Sequence, residues 1–112
     1  MTNELNVNVE KILSEGLSLQ NFGINNWGLT KEKALIAINE LRNFGIPVLG
    51  GDVMKLENGE WIHTYDNWYC DKLPNESKEQ FMVRSTQAAN EYVNNYNINP
   101  DSETLFVIVA ET

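Results

Sequence analysis

The 112-residue sequence predicts an α+β fold, a small mixed or antiparallel sheet of three to four strands packed with two to three helices. Three observations predict it. Segments 30–45 and 77–96 repeat apolar residues at helical spacing. Between them, Asn58-Gly59 interrupts strand-like sequence and signals a two-residue hairpin, because both residues tolerate positive φ. The closing run LFVIVA, 105–110, is apolar on both faces when extended, the pattern of a central strand covered on both sides.

The elements follow in order. Leu5, Val9, Ile12 and Leu13 share one face of a helix expected over 3–15 and ending near Gly16. Segment 17–30 has two glycines and no clean period, so a loop or broken turn is expected, pinned by Leu17, Leu19, Phe22 and Trp27. Thr30 is placed to cap the second helix, Ala34, Leu35, Ile38 and Leu41 form its apolar stripe, and Gly45 stands where a C′ glycine belongs. Val48 to Leu56 reads as a strand whose Gly50-Gly51 pair allows a bulge or a close backbone approach. Trp61 to Tyr65 returns from the hairpin and extends through Trp68 to Cys70 as a further strand or an ordered loop. Ser77 and Gln80 form a capping box for the third helix, whose stripe is Phe81, Ala88, Ala89, Tyr92 and Tyr96. Asn99-Pro100-Asp101 turns the chain into the last strand. The whole is expected to be one domain over 1–112, with the helix in 1–16 peripheral.

Composition narrows the function. The net charge of −8 disfavours non-specific nucleic-acid binding and docking to anionic membrane, and favours encounter with a basic protein. One cysteine makes no internal disulfide, and the polar N-terminus carries no secretory signal, so a cytoplasmic protein is expected.

The stretch TYDNWYCD, 64–71, concentrates reactive residue types and follows the single histidine, His63. Zinc would need His63, Cys70 and carboxylates such as Asp52, Asp66 and Asp71 in tetrahedral array, but His63 and Cys70 are seven apart and no CxxC or HxxxH pair exists. A Cys70–His63 nucleophilic pair is disfavoured by strand parity, which points the two to opposite faces unless the chain bends at Asp66-Asn67. Neither a metal nor a cofactor is expected. The richer signal is a run of carboxylates, Asp52, Glu57, Glu60, Asp66, Asp71, Glu76 and Glu79, interleaved with Trp61, Tyr65, Trp68 and Tyr69. Tyr and Trp are enriched in interface hot spots, and about half of these rings are expected to build the core instead.

NWGLTKEKALIAINELRNFGIPVLGGDV, then TYDNWYCD, then NESKEQFMVRSTQAANEYVNNY, resembles immunity protein family 40, small bacterial proteins of polymorphic toxin systems. The likeness runs from about Leu17 to Ala110, and its most specific parts are Trp27, Pro47 with Gly50-Gly51-Asp52, and the 65–70 stretch. Position 28 is glycine where the family pattern has alanine, at what reads as a helix entry. The resemblance implies a single α+β domain that binds and neutralises a cognate toxin by occlusion, and it implies no catalytic residues. The acidic charge adds the expectation of a basic toxin such as a nuclease. Asp52, Tyr65, Asp66, Tyr69 and Asp71 are the expected contacts, with Trp68 and Cys70 assigned to packing. Two readings of other classes stand beside this one. They are a small metal-dependent or cysteine hydrolase built on Asp52, His63, Asp66 and Cys70, and a scaffold or oligomerisation module.

Overall fold

A computed structural model describes residues 4–112. Three helices and five strands alternate in it: α1 Glu4–Leu13, β1 Leu17–Ser18, β2 Trp27–Leu29, α2 Lys31–Asn43, β3 Val48–Glu57, β4 Glu60–Tyr69, α3 Lys78–Asn95 and β5 Thr104–Ala110. The expected helix start at Asn3 lies outside the described residues, as does the Leu5 side chain. The strands form one sheet in the order β1-β2-β5-β3-β4, antiparallel throughout. Five strands replace the expected three to four. The difference lies in segment 17–30, where backbone pairing with β5 makes strands of a sequence too short to show a period. Gly28 lies within β2 rather than at a helix entry, and a Cβ there would press on Leu105.

Local chemistry explains where the elements stop. Thr30 accepts from the Lys33 N–H and starts α2. Gly45, at φ +72°, ends it in a Schellman motif: its N–H reaches the Arg42 carbonyl and the Ile46 N–H reaches that of Leu41. Asn58 and Gly59 both take positive φ and close the β3–β4 hairpin as its sequence predicts. The Ser77–Gln80 capping box is complete in both directions, at 3.0 and 2.9 Å.

All three helices lie against one face of the sheet. Val9, Ile12 and Leu13 of α1, Ala34, Ala37, Ile38 and Leu41 of α2, and Ala89 and Val93 of α3 bury Val48, Val53, Phe106 and Ile108. The Val48 N–H donates to the Ser85 hydroxyl at 3.1 Å and ties β3 to α3. The opposite face has a smaller cluster, Leu19, Met54, Leu105 and Val107, covered by Ile24 and Trp61. That cover runs out along β5. Val109, expected to be enclosed, is 41% exposed because the 19–24 segment does not reach it. Of the four expected pins, Leu17 and Phe22 are exposed, Trp27 is half-buried and Leu19 is fully buried.

Candidate functional site

The β3–β4 hairpin carries an irregularity in the middle of TYDNWYCD. Pairing runs Asp52 with Asn67, then Met54 with His63, so Thr64, Tyr65 and Asp66 together face Val53. Side chains fasten this bulge. The Thr64 hydroxyl donates to the Val53 carbonyl at 2.8 Å and accepts from the Asp66 N–H at 3.1 Å. The Asn67 amide donates to the Tyr65 carbonyl at 3.2 Å. Tyr65 sits at φ +71°, a conformation rare for a bulky residue. Because β4 is an edge strand, the bulge also interrupts the row of free backbone groups that edges present.

The bulge adds two residues, so the side chains of β4 keep alternating through it. On the side away from the helices stand His63, Tyr65, Asn67 and Tyr69, all exposed, with the His63 and Tyr65 rings 6.4 Å apart. Tyr69 is 79% exposed and lies opposite Gly50, where a Cβ would press on the Trp68 carbonyl and the Tyr69 Cα. Half-buried Asp52 pairs with Asn67 and Val107, and by that register it shares this side. Val109 extends the patch across β5. Aromatic, apolar, amide and carboxylate groups thus adjoin on a surface with no α-helix over it.

The helix side of β4 is fully engaged. Asp66 accepts from the Tyr96 hydroxyl at 2.7 Å, and Trp68 stacks on Tyr92 with ring centroids 4.6 Å apart. Tyr96 in turn meets Phe106 edge-on. Burial raises the Tyr92 and Tyr96 phenols above their ordinary range; Asp66 adds to both, through charge at Tyr92 and through the hydrogen bond at Tyr96. The Trp68 ring fits only because residue 51 is glycine, since a Cβ there would collide with that ring and with the Val107 carbonyl. The Trp68 indole N–H is buried without an acceptor among the described residues, so packing alone holds this ring.

Beyond β4 the chain is fastened by Arg84. Its guanidinium donates to both Glu76 carboxylate oxygens, at 2.7 and 2.8 Å, to the Asp71 carbonyl at 2.6 Å and to the Cys70 sulfur at 3.1 Å. Glu76 also accepts from the Leu73 N–H, and its side chain keeps only 9% exposure. The Arg84 hydrogen bonds hold the Glu76 carboxyl at about 2, against the opposing effect of burial. Glu76, counted from sequence among the acidic rim, is thus a structural ion pair that fixes the exit of β4 onto α3.

A family model described as immunity protein 40 matches residues 18–110. The chain belongs to the immunity protein 40 family. Membership points to a protein toxin as the partner, and the matched span contains every element except α1 and the first residue of β1. No curated protein and no solved structure matches the chain.

The fold of this immunity protein does not bring its single cysteine and single histidine together. Cys70 is buried against Arg84 on the helix side, whereas His63 points to the other side. No group of three or more His, Cys, Asp or Glu side chains among the described residues is placed to hold a metal ion. Of the five expected contacts, the structure brings Asp52, Tyr65 and Tyr69 to one side of the hairpin. Asp66 is exposed but turned toward Tyr96, and Asp71 sits in the following loop with its carbonyl on Arg84. His63, Asn67 and Val109 join the surface without having been assigned to it. The period-2 rule run back from Tyr69 gives the Asn67 and His63 placements, because the two-residue bulge keeps parity, and the same rule along β5 puts Val109 beside Val107 and Leu105.

Proposed function

We propose that this immunity protein binds its cognate toxin domain and blocks the toxin's working surface through the bare side of the β3–β4 hairpin. Binding is stoichiometric and involves no chemistry of the protein's own. It takes place in the cytoplasm of the toxin-producing cell. The observation that carries the proposal is the set of exposed Tyr65, Asn67 and Tyr69 with half-buried Asp52 on a sheet face without α-helix cover, in a chain that belongs to an immunity family. Tyrosines give large contact area with few rotamers to freeze, which suits an interface. The net charge of −8 supports a basic toxin, such as a nuclease whose substrate groove is positive.

The test is protection in cells. The toxin domain encoded beside this gene is induced with and without the immunity protein. The wild-type chain restores growth, and a chain carrying Asp52→Ala with Tyr69→Ala protects poorly at equal abundance. Full protection by that variant places the binding surface elsewhere.

A further inference from the structure

Tyr65 is the one residue of the hairpin whose conformation and exposure oppose each other. It holds φ +71° and is 87% exposed, so the ring gains almost no burial in return for a backbone strain that glycine would avoid. Interrupting the sheet edge does not require the ring either, because a bulge with glycine at the left-handed position interrupts pairing equally well. The bulge is nonetheless held firmly, by Thr64 to Val53 and Asp66 and by Asn67 to the Tyr65 carbonyl. The result is an aromatic side chain that stands in solvent on a backbone held in place. On its side the His63 ring lies 6.4 Å away and Asp52 pairs with Asn67 two positions on, while Asp66 follows it directly but turns toward Tyr96.

Resting on the toxin-binding role of this face, we propose that the Tyr65 ring is a preorganised anchor that receives a cationic side chain, arginine or lysine, of the toxin. The ring's negative face attracts the cation, the carboxylates add charge complementarity, and the locked bulge removes the ordering cost of a mobile loop. The strain at Tyr65 is retained for binding rather than for folding.

The experiment titrates the purified immunity protein with the neighbouring toxin domain, inactivated at its own catalytic centre, and melts each variant alone. Tyr65→Gly is expected to bind at least about tenfold more weakly and to melt about 4 °C or more higher. Tyr65→Phe keeps the ring and stays within about threefold of wild type. Tyr65→Leu keeps apolar bulk without a π face and binds at least about fivefold more weakly than the Phe variant. If Tyr65→Gly binds like wild type while Tyr69→Ala is weakened, the anchor is overturned and the surface stands. If Leu equals Phe, the cation is overturned. A Gly variant that melts lower overturns the strain. If the wild-type protein fails to bind the toxin at all, the toxin-binding role of the face falls and the anchor with it.

Discussion

The chain's four tyrosines divide evenly between the two sides of the β3–β4 hairpin. On the helix side, Tyr92 stacks on Trp68, and Tyr96 meets Phe106 and donates to Asp66. On the bare side, Tyr65 and Tyr69 stand in solvent. The residue type is the same and the roles are opposite. One pair builds the fold, and the other adds nothing to it that a smaller residue would not. What separates them is the placement of α3 and the alternation along β4, and this teaches that the stretch 64–71 is two surfaces interleaved rather than one motif.

That division can be broken from the packed side first. Phe106→Ala removes the ring under Tyr96 at the centre of the sheet and is expected to cost about 3–5 kcal/mol in urea denaturation. Gly51→Ala drives a methyl group into Trp68 and should cost about 1–3 kcal/mol, with a shift in tryptophan fluorescence. Tyr96→Phe deletes the hydrogen bond to Asp66 and should cost about 1 kcal/mol, whereas Tyr69→Phe should change stability by less than about 0.5 kcal/mol. A comparable loss in both would erase the distinction between the sides. The last effect appears only in acid. Glu76 has its folded pKa lowered from 4.5 to about 2, so its contribution is complete above pH 4.5 and disappears as pH falls through about 2. Glu76→Gln should therefore flatten that part of the acid unfolding curve, checked by melting at a series of pH values.

Much of the packed side is legible in the sequence. Thr30, Gly45, Asn58-Gly59 and the Ser77–Gln80 box mark their ends by local hydrogen bonding, which needs no tertiary information. Trp68 and Cys70 pack as expected, because alternation from the end of β4 points both toward the helices. The bare side is less legible. β1 and β2 have two and three residues, and they are held in the sheet by the pairing of β2 with β5, distant in the chain. Val109 reads as enclosed because an apolar face gives no sign of how far its cover extends. The bulge adds two residues to β4 and so keeps its alternation, and candidates adjacent in sequence divide between two sides in space, Tyr65 and Tyr69 on the bare side and Asp66 toward the helices. Glu76 looks like rim charge until Arg84, eight residues on, is brought to it.

The bare side of the hairpin is proposed to bind the toxin while contributing little to the fold. Isothermal titration of the inactivated toxin domain into an Asp52→Ala, Tyr65→Ala, Tyr69→Ala triple variant tests it most directly, alongside a melting curve of that variant. The expected result is binding weakened by more than about 2 kcal/mol, roughly thirtyfold, with the melting temperature within a few degrees of wild type. Undiminished affinity in a well-folded triple variant would contradict it.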